Sequence, residues 1–117
     1  MISYKELAAY QKSYALVLEV YKVARTFPRE ETFALASQIK RAAYSIPLNI
    51  AEGYGKNESV DEFKRYLRIA VGSSDEMKVL TDLCYDLGFL NKEQHRLFSE
   101  GYVEVGKILT GMIQKWR

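Results

Sequence analysis

The sequence predicts an all-α protein, an up-down-up-down antiparallel four-helix bundle. Three observations point there. Apolar residues recur at alternating steps of three and four along most of the chain, the spacing that keeps one side of a helix apolar. Capping signals open the apolar runs, and only two prolines and seven glycines punctuate 117 residues, which favours a few long elements. The connections between runs are short, so sequential helices must run antiparallel.

The elements follow in order. Helix one is expected over about residues 4–26. Ser3-x-x-Glu6 reads as its capping box, with Ile2 and Leu7 as a hydrophobic staple. Its apolar seam is Leu7, Gln11, Tyr14, Leu18 and Tyr21. Helix two is expected over about 30–54, opened by Phe27-Pro28 and the acidic pair Glu30-Glu31, which suits the positive end of a helix dipole. It buries Leu35, Ile39, Ala42, Ile46 and Ile50, is expected to kink at Pro47, and ends at Gly53 and Gly55. Helix three (about 59–87) starts at the capping box Ser59-x-x-Glu62 and stops before Gly88. Its seam is Phe63, Leu67, Ala70, Ser74, Met77, Leu80, Cys84 and Leu87. Helix four (about 92–116) starts at Asn91-x-x-Gln94 and carries His95, Phe98, Tyr102, Val105, Leu109, Met112 and Trp116. No repeat, low-complexity tract or linker breaks the pattern, so residues 1–117 read as a single domain.

Composition narrows the function classes. Hydrophobic residues are 48% and charged residues 27%, enough for a proper core. No apolar run approaches the roughly 18–20 residues of a membrane span, and the first residues lack a signal-peptide layout. The single cysteine, Cys84, rules out an internal disulfide and suits a reducing cytoplasm. Net charge is only +2, with an isoelectric point near 8.6. The excess lies in residues 1–58, with eight Lys/Arg and six Asp/Glu, whereas residues 59–117 carry nine of each. Nine of the aromatic residues are tyrosines, a type suited to partner contact as well as to a core.

Helix two holds the most informative segment, Arg41 to Gly55. Arg41, Ser45, Asn49 and Glu52 are spaced at helical steps on one face. At 100° per residue they span roughly 80°, beside the isoleucines at roughly 140–180°. One reading is a structural polar network of Arg41, Ser45, Asn49 and Glu52 with Ser73 and Glu76 of helix three, where Gly72-Ser73-Ser74 allows close approach. Buried polar groups must be paired or each costs about 1–3 kcal/mol. The competing reading is a ligand or nucleic-acid site on the same residues. A third face carries Tyr44, Leu48 and Ala51, pointing away from the bundle's own core. That strip suggests an oligomer interface.

Catalytic and metal chemistry is not expected, and neither is a cofactor. His95 reads as a packed seam residue and Cys84 as a small hydrophobe. No His/Cys/carboxylate cluster has metal spacing, and the Glu-x-x-His pairs of di-iron bundles are missing. Glu52-Gly-Tyr-Gly-Lys56 only superficially resembles a phosphate loop, because it ends a helix and follows no strand. Asp75-Glu76 and Asp82 with Asp86 read as solvated or salt-bridged acids. Two basic groups stand as candidate nucleic-acid contacts: Lys56, Lys64, Arg65 and Arg68 at one end, and Arg25, Arg29 and Lys40, with Arg41, at the other. Glu30, Glu31, Asp61 and Glu62 dilute both groups, and oligomerisation would be needed to join them.

Ser45-Ile-Pro-Leu-Asn-Ile-Ala-Glu-Gly53 followed by Phe63-Lys-Arg-Tyr-Leu-Arg-Ile-Ala-Val-Gly-Ser-Ser-Asp-Glu76 resembles the family of four-helix-bundle proteins encoded in intervening sequences of bacterial 23S ribosomal RNA genes. The likeness runs through Phe27-Pro28 and Gln38-x-x-Arg41 to Leu87-Gly88. It implies a homopentameric ring of four-helix protomers, related to the accessory proteins of diversity-generating retroelements, which bind a reverse transcriptase and nucleic acid. It also implies a link to RNA or the ribosome. Arg41, Ser45, Pro47, Asn49, Glu52, Gly53, Gly72, Ser73 and Glu76 match the family pattern. Those accessory proteins are strongly basic and this chain is not. The alternative is therefore an interaction scaffold that docks a protein partner, such as a nucleic-acid-processing protein, without touching nucleic acid.

Overall fold

The computed structural model describes residues 3–116. Four helices account for most of it: α1 (Ala8–Ala24), α2 (Leu35–Tyr54), α3 (Val60–Asp86) and α4 (Lys92–Lys115). Short 3-10 turns at Tyr4–Glu6 and Arg29–Glu31 precede α1 and α2. Each helix packs on its neighbour in sequence, α1 closes loosely onto α4, and the diagonal pairs do not meet. Paired residues show the antiparallel sense: Ser45 meets Ser73 and Asp82 meets His95, while Lys12 meets Glu104. The molecule is an elongated all-α four-helix bundle of 44 × 23 × 20 Å.

Helix ends follow the sequence signals, with two shifts. Ser59 accepts the Glu62 N–H at 3.2 Å, and Asn91 and Gln94 cap each other reciprocally at 2.8 Å. At the end of α3, Gly88 takes φ +83°. Its N–H reaches the Tyr85 carbonyl at 3.0 Å and the Phe89 N–H reaches that of Cys84 at 2.8 Å, a Schellman closure. Helix one, expected from residue 4, begins only at Ala8, because Leu7 is extended at φ −70°, ψ 130°. The Ser3 hydroxyl caps the 3-10 turn by accepting the Lys5 N–H. Ile2 of the expected staple lies outside the described residues. Helix two likewise starts late, at Leu35, whose N–H is capped at 3.2 Å by the Glu31 carboxylate from four residues upstream.

The core contains most of the expected rows of α2, α3 and α4; Leu35, Met112 and Trp116 pack half-buried against it, and Leu87 and His95 are left outside. Helix one differs. Its buried row is Ala9, Ser13, Leu16, Val20, Val23 and Ala24, whereas Tyr14 and Leu18 are half exposed. Both rows have helical spacing, so periodicity alone does not choose between them; the aliphatic row with alanine and serine faces inward. Aromatic contacts plug both ends: Phe63 on Trp116 at 4.8 Å, with Tyr54 beside them, and Phe27 on Phe89 at 5.3 Å.

The α2–α3 approach is tightest at Gly53. This residue lies inside α2 and does not end it; the helix runs on to Tyr54 and is capped by Gly55 with ordinary right-handed φ. A Cβ at Gly53 would stand 2.6 Å from Tyr66 Cβ and 3.2 Å from a Phe63 ring carbon. Gly72, by contrast, is exposed and meets nothing within 4 Å, so in Gly72-Ser73-Ser74 the serines and not the glycine face the neighbouring helices. Pro47 is buried within a continuous α2. Gly53→Ala should therefore destabilise the fold by about 1–3 kcal/mol through overpacking, read as a lower urea midpoint.

Candidate interaction surface

Adjacent serines on α3 point to different neighbours. Ser73 Oγ lies 2.9 Å from Ser45 Oγ on α2, and the fully buried Ser74 donates to the Tyr102 carbonyl of α4 at 3.0 Å. Asn49 donates its amide to the Ser45 carbonyl at 2.7 Å and to its hydroxyl at 3.1 Å. Ser45, Asn49 and Ser73 thus come together between α2 and α3. Glu76 is also engaged, but by the side-chain amide of Gln38, which the sequence reading had not placed there. Arg41 and Glu52 stay outside this network: both are exposed and neither takes part in its hydrogen bonds. Arg41 lines an open polar groove of about 270 Å³ with Gln38, Ser45, Ser73 and Glu76.

The strip on α2 is exposed. Tyr44 is 43% and Leu48 51% accessible, and Ala51 is half-buried. The fold brings Tyr14, expected on the apolar seam of helix one, together with Tyr4 and Tyr10 in one surface groove of about 300 Å³ that Tyr44, Leu48 and Ala51 also line. The tyrosines contact one another in series, Tyr4 edge-on to Tyr10 with centroids 5.0 Å apart and Tyr10 tilted against Tyr14 at 5.7 Å. Burial and the neighbouring phenols push the Tyr10 hydroxyl's pKa up. The surplus of tyrosine was the available signal for this surface.

The two basic groups lie at opposite ends of the bundle. At one end Tyr66 is flanked by Arg65, 4.7 Å from its ring centroid, and by Lys56 at 5.8 Å. Arg65 also pairs with Glu62 at 2.7 Å, which lowers the Glu62 pKa through that hydrogen bond. Arg68 is exposed and Lys64 half-buried. At the other end Arg25 and Arg29 are exposed, and Lys40 rests over the Tyr21 ring at 5.4 Å.

The two residues with catalytic potential are engaged elsewhere. His95, expected in the packed seam, instead ties α4 to α3 at the surface, with Nε2 2.8 Å from Asp82 Oδ1 and its ring 4.5 Å from that of Tyr85. Asp75 pairs with Lys78. Cys84 is buried, and desolvation, with Glu31 adding a smaller push, raises its thiol from 9.0 to about 11. Among the described residues, no group of three or more His, Cys, Asp or Glu is placed to hold a metal ion. No described helix is long and apolar enough to cross a membrane.

These features define an all-helical bundle whose distinctive surface is an aromatic strip rather than a reactive cleft. The chain belongs to the 23S rRNA-intervening sequence protein family, whose model matches residues 5–111. The fold is similar to the crystal structure of a protein of unknown function from the S23 ribosomal protein family of Bacteroides thetaiotaomicron. That likeness has a TM-score of 0.82 at 23% identity and covers 92% of this chain and 96% of that one. No curated protein matches the chain.

The Cys84 thiol gives a pH signature. It keeps its proton in the fold to about 11, while an unfolded chain releases it near 9.0. Its contribution to stability is therefore complete below pH 9 and lost as pH rises through the folded value. Urea denaturation between pH 8 and 10.5 should show a steeper loss of stability for wild type than for Cys84→Ala, and native alkylation at pH 8 should be slow until denaturant is added.

Proposed function

We propose that this chain is a non-enzymatic, single-domain cytoplasmic protein that assembles with copies of itself as a homopentamer, and that the assembly associates with RNA or a ribonucleoprotein. The observation that carries the reading is the exposed strip of Tyr14, Tyr44 and Leu48 across α1 and α2. An apolar surface of this kind marks an interaction site, and closed symmetric homo-oligomers are its commonest use. The number of subunits rests on the family resemblance. The RNA association rests on the family and on Lys56 and Arg65 beside the Tyr66 ring, with Arg68 exposed on the same helix, since cations beside an aromatic ring suit phosphates and unstacked bases. A ring would repeat this group, and Arg25, Arg29 and Lys40 at the opposite end, into arrays that one +2 chain lacks.

A second reading, a scaffold or accessory subunit that docks a protein partner without nucleic acid, is favoured by the Arg65–Glu62 pair, which withdraws a cation from phosphate binding.

Leu48→Lys should lower the mass measured by light scattering while far-UV circular dichroism stays unchanged; an unchanged mass would show that the strip is not an interface. Filter binding of the wild type to structured RNA should weaken steeply as salt rises. Absent or salt-independent binding would exclude the RNA association, and a protein partner retained after nuclease treatment would support the scaffold.

A further inference from the structure

We infer that the groove between α1 and α4 receives the α1/α2 strip of the next copy of this chain, so that assembly runs head to tail through two different faces. This rests on the self-association reading above and names the partner surface that reading leaves open. The groove measures about 370 Å³. Its floor is apolar. Leu97 is 45% exposed, and Leu16 and Gly101 press so closely that a Cβ on Gly101 would stand 2.9 Å from the leucine. Its rim is acidic, with Glu19, Glu100 and Glu104 against Lys12. These glutamates sit in exposed ion pairs with Lys22, Arg96 and Lys12, which are weak enough to exchange partners.

The strip has the complementary character. Tyr44 and Leu48 project from α2. Arg41, one turn before Tyr44, is exposed, and Lys40 rests on the Tyr21 ring. Exposed aromatic and aliphatic side chains with a basic end match an apolar groove with an acidic rim in polarity and in charge. The α3/α4 groove carries Lys78 and Lys107 against Asp75, the wrong sign for Arg41, and the α2/α3 groove is polar throughout most of its lining.

Placement sets how assembly ends. The α1/α2 and α1/α4 sides are adjacent in the bundle, roughly a right angle apart in a four-helix arrangement. A contact between such faces turns each copy relative to the last, the rotation that a closed ring requires. Opposite faces would stack copies into an open filament, and a strip meeting itself would stop at a dimer.

Mixing two variants tests this by light scattering. Leu48→Lys removes the strip and keeps the groove; Leu97→Lys removes the groove and keeps the strip. Each alone should fall below the wild-type mass with unchanged helicity, and an equimolar mixture should form a heterodimer with one intact contact. If Leu97→Lys loses helicity, Glu100→Lys at the 68% exposed rim position replaces it and should lower the mass most at low salt. A groove variant with wild-type mass, or a mixture in which that variant dimerises with itself while Leu48→Lys stays monomeric, overturns the inference and leaves self-association standing. A wild type that is monomeric at every concentration overturns both.

Discussion

Two neighbouring hydroxyls near the middle of α3 set the register of three helices. Ser73 and Ser74 stand about 100° apart around the helix axis, so one faces α2 and the other α4. Ser74 is fully buried and bonds the Tyr102 carbonyl. Ser73 meets Ser45, which also holds Asn49. Leaving the buried Ser74 unpaired costs about 1–3 kcal/mol, whereas apolar side chains tolerate axial sliding far better; the half-buried Ser45–Ser73 pair adds a directional contact on the other side. The hydroxyls therefore fix the height of α2 and α4 against α3. At that height Gly53 falls opposite Tyr66 and Asp82 opposite His95.

The rotation of α1 about its own axis sets the surface. It buries Ala9, Ser13, Leu16, Val20, Val23 and Ala24 and leaves Tyr14 and Leu18 outside, beside Tyr44 and Leu48. A single chain leaves that apolar area uncovered. The protein's distinctive feature is thus an exposed aromatic face, while its one histidine is spent on an inter-helix surface bond and its one cysteine on the core.

Arg41 links the two halves of the molecule's character. It shares a groove with Ser45, Ser73 and Glu76, but Gln38 takes the glutamate and the serines take each other. Arg41 is therefore left exposed next to the aromatic strip.

Sequence alone determined the number of helices, their antiparallel order, the caps at Ser59, Asn91 and Gly88, and the buried rows of α2, α3 and α4. Those features are written in local spacing and in hydrogen bonds a few residues long. It also marked Ser45 and Ser73 as partners and Tyr44 and Leu48 as outward. Tertiary structure decided the rest. Only the packing of helix against helix could choose between two equally periodic rows on α1, make Gly53 a packing residue rather than a stop, and move His95 to the surface. Only the register across α2 and α3 could give Glu76 to Gln38 and release Arg41. These outcomes depend on what stands opposite each residue, and periodicity along one chain does not specify that.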